Sequence, residues 1–172
     1  DYGIDGSFQL SQAKSRLFEV LALPLEPSRI TALQDAINKA EKIFYVLDNC
    51  GEAVFDRLLI EQFRDKVTLG VRGMPVLNDV TRRELASSGL AGYPVVDTGD
   101  CTPGVSSRYA DPAFFQAMRQ ADLVIAKGQG NFETMDDYDR PIFFLFRAKC
   151  SVVAQHLGGV ELGSLQVIGK NV

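Results

Sequence analysis

The chain is poor in the residues that mark several special classes of protein. Its 172 residues include no tryptophan, one histidine and three cysteines, which are Cys50, Cys101 and Cys150. The cysteines lie far apart and form no Cys-x-x-Cys pair, so the sequence argues against a zinc site made of cysteine and histidine. So few cysteines also favour a reducing, cytoplasmic location over a secreted one.

Long apolar runs and an excess of basic residues are absent as well. The longest apolar stretches, such as Ile142–Phe146, are far shorter than the ~20 residues that span a bilayer. The formal net charge is −4, whereas nucleic-acid-binding domains usually carry a basic excess. We therefore expect neither a membrane nor a nucleic acid as partner.

The chain is long enough and apolar enough to form one folded domain. It is 46% hydrophobic and 23% charged, which is ordinary for a globular protein of this length. We expect a single α/β catalytic domain over residues 1–172, with a helical lead-in over residues 1–42. The chain opens at Asp1 without an initiator methionine, and we expect it to be a fragment of a longer protein.

Short apolar runs alternate with helical patterns along the chain. Most of the runs are apolar on consecutive residues, which is typical of parallel strands covered on both faces. The alternation predicts an α/β fold with a doubly wound, mostly parallel sheet of about six strands and helices on both faces. The predicted strands are Ile43–Leu47, Val67–Val71, Tyr93–Asp97, Leu123–Ala126, Ile142–Phe146 and Leu165–Ile168.

Helical patterns fill the segments between these runs. Two helices precede the first strand, separated by a turn over Pro24–Pro27. Caps are expected at Asp79 or Thr81 and at Asp111 before Pro112. The predicted helices are Ser11–Leu23, Ser28–Lys42, Gly51–Arg64, Thr81–Ser88, Pro112–Gln120 and Cys150–Leu157.

Oxygen ligands follow the first two predicted strands. In open α/β sheets, ligands bind beyond the carboxyl ends of the strands, near a switch point in strand order. Asp48 and Asn49 follow the first strand, and Asp79 lies after the second. Carboxylate and amide oxygens suit Mg²⁺ or Mn²⁺. The alternative is that Asp48 or Asp79 only caps a helix. Because the three residues are expected at the same edge of the sheet, a divalent metal site is favoured over helix capping alone.

A lysine and two glycines follow the fourth predicted strand. The segment Lys127-Gly128-Gln129-Gly130-Asn131 is typical of a phosphate-binding loop, because glycines let backbone N–H groups approach an anion and lysine adds positive charge. The spacing of neither a Walker A loop nor a dinucleotide-binding fingerprint is present. An ordinary turn is the alternative.

Three further polar residues are candidates for substrate binding. Glu52, in the first turn of its helix, either interacts with the helix dipole or places substrate. Arg72 and Lys149 are suited to neutralising phosphate charge, and a surface salt bridge is the alternative for each.

Two common hydrolase mechanisms are disfavoured. The chain has no Gly-x-Ser-x-Gly elbow, and its one histidine, His156, lies mid-helix and away from the strand ends. We expect His156 to be structural. A haloacid-dehalogenase-like enzyme would carry Asp-x-Asp after the first strand, whereas Cys50 occupies the position of the second aspartate.

Four segments near the predicted strand ends match the motifs of a known family in the same order along the chain. They are Asp48-Asn49-Cys50-Gly51-Glu52, Arg72 to Thr81, Lys127 to Glu133, and Phe144 to Cys150. Together they resemble the metal-dependent damage-control phosphatases, long catalogued as a domain of unknown function, in their stand-alone prokaryotic branch. The resemblance covers the chain from Ile43 to the C-terminus. It also implies that an N-terminal helical region of the family, carrying a Cys-x-x-Cys pair, is missing from this chain.

The resemblance implies metal-dependent hydrolysis of small phosphorylated metabolites, such as sugar phosphates or damaged cofactor intermediates. The ion would be Mg²⁺, Mn²⁺, Co²⁺ or Ni²⁺, and whether Asp48 is also a nucleophile is left open, as is a homo-oligomeric state. The expected metal ligands are Asp48, Asn49 and Asp79, and the expected catalytic residues are Asp48, Asp79 and Lys127. The expected substrate-binding residues are Glu52, Arg72, Lys127, Gly128, Asn131 and Lys149.

Two other functions fit part of the pattern. A carboxyl methyltransferase using S-adenosylmethionine would need a glycine-rich turn after the first strand, and Asp-Asn-Cys-Gly-Glu suits a cation better. A non-catalytic sensor of phosphometabolites would keep the same pocket without the chemistry. Metal-stimulated turnover of a phosphate ester separates these alternatives from a phosphatase.

Overall fold

A computed structural model describes residues 18–172 of the chain. The strands are β1 (Ile43–Val46), β2 (Val67–Val71), β3 (Val95–Asp97), β4 (Leu123–Lys127), β5 (Ile142–Arg147) and β6 (Leu165–Lys170). The helices are α1 (Pro27–Lys39), α2 (Cys50–Ile60), α3 (Pro112–Gln120), α4 (Gln129–Met135) and α5 (Ser151–His156), and a 3₁₀ helix covers Glu61–Lys66. Each helix within residues 18–172 is too short or too polar to cross a membrane.

The six strands form one sheet in the order β3-β2-β1-β4-β5-β6. All neighbouring pairs are parallel except β5 and β6, which are antiparallel. The chain runs outward from β1 through β2 to β3 and then resumes on the other side of β1 with β4. The strand order therefore reverses between β1 and β4, and this switch point is where an open α/β sheet binds its ligand. The predicted mostly parallel sheet is confirmed.

Helices pack on both faces of the sheet, as the sequence predicts. Side chains of β1 alternate between two apolar cores, because successive residues of a strand point to opposite faces. Tyr45 lies in the core that contains Leu33 of α1 and Ile60 of α2. Phe44 lies in the other core, where its ring meets the edge of Phe114 of α3 at 5.1 Å between centroids.

The first predicted helix, Ser11–Leu23, lies largely outside the described residues, although residues 18–21 are helical. The second corresponds to α1, which ends at Lys39 rather than Lys42. The cap expected for α3 is confirmed, because the Asp111 carboxylate accepts a hydrogen bond from the backbone N–H of Ala113 at 2.8 Å.

The predicted helix Thr81–Ser88 is wrong, since this segment is a series of turns. The Thr81 N–H does donate to the Glu84 carboxylate, and the Thr81 hydroxyl accepts from the Arg83 N–H, as at a helix start. The hydroxyls of Ser87 and Ser88 then both donate to the backbone carbonyl of Glu84. Such side-chain bonds compete with the helical ladder, and Gly89 follows with a φ of 73°.

The segment predicted as a phosphate-binding loop is in part a helix. Lys127 is the last residue of β4, and α4 begins at Gln129. Only Gly128 connects the two elements, with a φ of 83° that favours glycine. The glycine therefore allows an abrupt change from strand to helix at the switch point.

The apolar pattern of α2 predicts a buried face with Val54, Phe55 and Leu58, but a different face packs on the sheet. Ala53, Asp56 and Ile60 are its buried residues. Val54, Phe55 and Leu58 are exposed within the described part of the chain. An acidic side chain therefore occupies the middle of the buried face.

A buried arginine ties together the segments that follow β2 and β4. Arg72, the first residue after β2, is only 1% exposed. Its Nε donates to Asp79 Oδ2 at 2.7 Å, and its Nη2 donates to Asn131 Oδ1 at 2.7 Å. Because Asn131 belongs to α4, the guanidinium links the loop after β2 to the helix after β4.

The fold contains a second arginine–aspartate pair of the same kind in a different environment. Arg82 Nε donates to Asp97 Oδ2 at 2.5 Å, but the Arg82 side chain is 54% exposed. Removing one partner of a buried ion pair strands the other charge and costs about 3–5 kcal/mol. Exposed pairs contribute about 0–1 kcal/mol, because water solvates and screens both charges.

We expect Arg72→Met to lower the free energy of unfolding by about 3–5 kcal/mol and Arg82→Met by about 1 kcal/mol or less. Urea denaturation of both variants beside the parent protein measures the difference. A loss of the same size for both variants would contradict the structural role assigned to Arg72. An Arg72→Met protein that does not fold at all counts as the expected large loss.

Candidate active site at the switch point

The three predicted metal ligands meet at the carboxyl end of β1. The backbone of Asn49 forms an isolated antiparallel bridge with Asp79. Around this bridge, the Cys50 N–H donates to the Asn78 carbonyl at 2.9 Å, and the Val80 N–H donates to the Asp48 carbonyl at 2.7 Å. The loop after β2 is therefore held against the start of α2 by backbone hydrogen bonds.

Asn49 is the N-cap of α2. Its Oδ1 accepts a hydrogen bond from the Gly51 N–H at 2.7 Å. Capping explains its place in the sequence, because a short polar side chain satisfies an N–H that the first helical turn leaves open. Its Nδ2 is buried and has no hydrogen-bond partner within the described residues. The cap alone therefore does not use the whole amide.

Asp48 lies directly against Gly128. A Cβ atom added to Gly128 would sit 2.0 Å from Asp48 Oδ2. The absence of a side chain at this position thus makes room for the carboxylate between the ends of β1 and β4.

Burial raises the pKa of Asp48 to about 7, and the neighbouring carboxylates of Asp79 and Glu52 add to the rise. The positive charges of Arg72 and Lys127 oppose it. Burial and the two carboxylates together outweigh the two cations, so the confined position of Asp48 favours either a proton or a bound cation there.

Lys127 points away from the sheet toward α2. Its Nζ donates to Asp56 Oδ1 at 2.7 Å and to Glu52 Oε2 at 3.1 Å. Burial is the largest single effect and disfavours the charged amine, but Asp56, Tyr45 and Glu52 together outweigh it and raise the pKa of Lys127 well above its usual value. Lys127 is thus a fixed ammonium ion beside the proposed metal ligands.

Asn131 is completely buried and is bonded on both ends of its amide. Its Oδ1 accepts from Arg72, and its Nδ2 donates to the Lys127 carbonyl at 2.7 Å and to the Leu47 carbonyl at 3.4 Å. This arrangement fixes Arg72 and the ends of β1 and β4. The expected contact of Asn131 with phosphate stays a prediction.

The remaining predicted residues are nearby but differently placed. Glu52 is partly exposed and contacts Lys127. Lys149 has an exposed side chain, and its backbone N–H donates to Gln129 Oε1 at 2.8 Å, which places it beside the start of α4. Its role toward substrate stays a prediction. His156 contacts Asp136 at 3.1 Å on the surface, in keeping with a structural role.

A divalent cation fits the charge of this group. Within residues 18–172, no cluster of three or more Asp, Glu, His or Cys side chains is placed to hold a metal ion. The donors at the switch point are instead two carboxylates and an amide, a set that Mg²⁺ completes with water and substrate oxygens. Four carboxylates and two cations make up the group, an excess of two negative charges when all are ionised: Asp48, Glu52, Asp56 and Asp79 against Arg72 and Lys127.

Two residues at this site, Asp56 and Tyr45, were not singled out from the sequence. Asp56 is 7% exposed and lies behind Lys127. The Tyr45 hydroxyl donates at 3.1 Å to Asp56 Oδ1, the oxygen that also binds Lys127. The sequence does contain a signal. Asp56 lies three residues after Ala53 and four before Ile60, so it shares the buried face of α2. An acid at such a position requires a partner.

The geometry suits chemistry on an anionic ligand. Two carboxylates and an amide can hold a cation, and an ammonium ion stands next to them. A phosphate group bound between cation and ammonium would have its charge neutralised from two sides.

Comparison with known proteins relates the chain to a family of phosphatase domains. Residues 1–164 match the family model described as the damage-control phosphatase ARMT1-like domain. The chain is 40% identical over 131 residues to the damage-control phosphatase PH1575 of Pyrococcus horikoshii, covering 73% of this chain and 46% of that protein. It is 31% identical over 176 residues to a damage-control phosphatase of Archaeoglobus fulgidus, covering 96% of this chain and 59% of that protein.

A solved structure shares the fold. The crystal structure of a DUF89 family protein from P. horikoshii superimposes with a TM-score of 0.79 at 36% identity, and the match covers 92% of this chain and 57% of that one. The chain thus spans about half the length of the relatives that it matches. The match over residues 1–164 and the shared fold show that the chain belongs to the family of ARMT1-like damage-control phosphatase domains.

Proposed function

We propose that this chain hydrolyses phosphate esters of small metabolites with the help of a divalent metal ion. The observation that carries the proposal is the meeting of Asp48, Asp79 and Lys127 at the β1/β4 switch point. Relatives named damage-control phosphatases support a phosphatase role. The three cysteines are free, which supports the further proposal of a cytoplasmic location.

Asp48, Asn49 and Asp79 would hold the ion, which would be Mg²⁺, Mn²⁺, Co²⁺ or Ni²⁺. When bound, such an ion supplies Lewis-acid stabilisation of the charge that develops on phosphate oxygens. Arg72 binds Asp79 through Oδ2, and Oδ1 of the same carboxylate would bind the ion. Likewise, the hydrogen bond from Gly51 occupies one of the two lone pairs of Asn49 Oδ1.

The residues of the chain have three tasks around this centre. Lys127 would bind a phosphate oxygen with its third N–H, since the other two are taken by Asp56 and Glu52. Gly128, which has no side chain, leaves the space that the Asp48 carboxylate occupies beside the strand ends. Arg72 and Asn131 keep the strand ends in place, so that little reorganisation is needed when substrate binds.

We expect metal-stripped protein to hydrolyse p-nitrophenyl phosphate only after Mg²⁺, Mn²⁺, Co²⁺ or Ni²⁺ is added back. Asp79→Asn, which keeps an acceptor for Arg72 but loses the charge, should lower kcat/KM at least about 100-fold, since even outer-shell partners of a metal contribute ~10–100-fold. Asp65→Asn removes an exposed carboxylate elsewhere and should retain parental activity.

The same ions should raise the melting temperature of the parent protein and of Asp65→Asn, because a ligand that binds only the folded state stabilises it. Asp79→Asn should show a much smaller rise. Turnover that is independent of metal and of Asp79 would refute the proposed centre. Metal and phosphate binding without turnover would indicate a sensor rather than an enzyme.

We expect Gly128→Ala to lower kcat/KM about 100-fold, because its methyl group overlaps Asp48 Oδ2 and a displacement near 1 Å has effects of this size. Gly92→Ala is a matched control. Gly92 has a similar φ of 89°, but an added Cβ meets nothing within 4 Å. Both variants thus carry the same kind of backbone strain. Equal activity losses in steady-state assays of the two variants would show that strain, not the contact with Asp48, is responsible.

A further inference from the structure

Asp56, the buried acid behind Lys127, has more hydrogen-bond partners than an ion pair with Lys127 requires. Asp56 Oδ1 accepts hydrogen bonds from both Lys127 Nζ and the Tyr45 hydroxyl, at 2.7 and 3.1 Å. Its other oxygen is buried without a partner within residues 18–172. Tyr45 is itself completely buried, and its ring packs near Phe63 with 6.4 Å between centroids. The carboxylate is therefore fixed from behind by a rigid part of the core.

Stability alone is a poor explanation for this arrangement. Two charges brought out of water lose much of their hydration, and their attraction restores this loss only in part. An apolar pair of similar size on α2 and β4 would pack against the same core without that loss. Asp56 instead restricts the position of the Lys127 ammonium, which would otherwise move freely on its flexible side chain.

The two acids that contact Lys127 differ in their surroundings. Asp56 is 7% exposed, whereas the Glu52 side chain is 26% exposed. Lys127 immediately precedes Gly128, whose Cα lies against the Asp48 carboxylate. The buried acid therefore anchors the ammonium from the core side, and the more exposed Glu52 meets it on the side of the ligand site.

We propose that Asp56 is a positioning residue, whose carboxylate, held by the Tyr45 hydroxyl, fixes the Lys127 ammonium at the point where a substrate phosphate binds. This inference rests on the proposed function. Asp56 touches neither the substrate nor the metal ligands, and it acts through Lys127 alone. Its removal should therefore have no effect on catalysis once Lys127 has been removed.

A double-mutant cycle tests this dependence in the full chain with saturating metal. Steady-state hydrolysis of p-nitrophenyl phosphate gives kcat and KM, and calorimetry gives the Kd of inorganic phosphate, for Asp56→Asn, Lys127→Met and the double variant. We expect Asp56→Asn to lower kcat/KM and phosphate affinity by about 10–100-fold, as outer-shell partners do. In the Lys127→Met background, the same change should have an effect below about 3-fold.

Tyr45→Phe provides a milder variant that deletes only the hydroxyl. It should lower kcat/KM by a smaller factor than Asp56→Asn, and again only when Lys127 is present. This variant keeps the test decisive if Asp56→Asn does not fold. Asp65→Asn controls for the loss of one negative charge on the 3₁₀ helix after α2.

The outcomes separate the two proposals. Turnover by the parent protein with equal losses in both backgrounds overturns the positioning role and leaves the phosphatase intact. Phosphate binding that needs Asp56 and Lys127 together, but without turnover, overturns the phosphatase and supports the positioning role. A parent protein that neither binds phosphate nor hydrolyses the ester overturns both.

Discussion

A single guanidinium group decides how the strand ends of this protein are arranged. Arg72 follows β2, yet it binds an aspartate in its own loop and an asparagine in α4, on the far side of β1. The asparagine in turn bonds to the carbonyls at the ends of β1 and β4. Loops at a switch point diverge to opposite faces of the sheet. A planar group with several fixed donors is well suited to hold them together, which a lysine would not do.

Charge is the second constraint on the site. Crowding of carboxylates at the ends of β1 and β2 would be unfavourable in an apolar core, and the raised pKa of Asp48 reflects this. The two buried cations compensate for half of the acids. The divalent ion of the proposed function would compensate for the rest, so the architecture that brings the acids together would also favour binding of a metal.

The fold and the outline of the site are readable from the sequence because they depend on local patterns. Continuous apolar runs identify buried parallel strands, and the residues after them must then share one edge. Contacts between distant elements are not encoded in this way. The spacing of Asp56 places it on one face of α2 with Ala53 and Ile60, but only the packing of α2 shows that this face is buried and that Asp56 contacts Lys127. Thr81–Ser88 has the composition and first hydrogen bonds of a helix, but serine hydroxyls and Gly89 divert the backbone.

The bonds of Asn131 have a consequence for the motions of the protein. Its amide connects the backbone of two central strands with the side chain of Arg72, all of it away from water. Parts of a protein that open easily are usually those with few buried contacts. Here the edge that carries the proposed site shares its hydrogen bonds with the centre of the sheet. Local opening of this edge would break these shared hydrogen bonds, so we expect exchange of its amide hydrogens with solvent to be coupled to opening of the β1/β4 region.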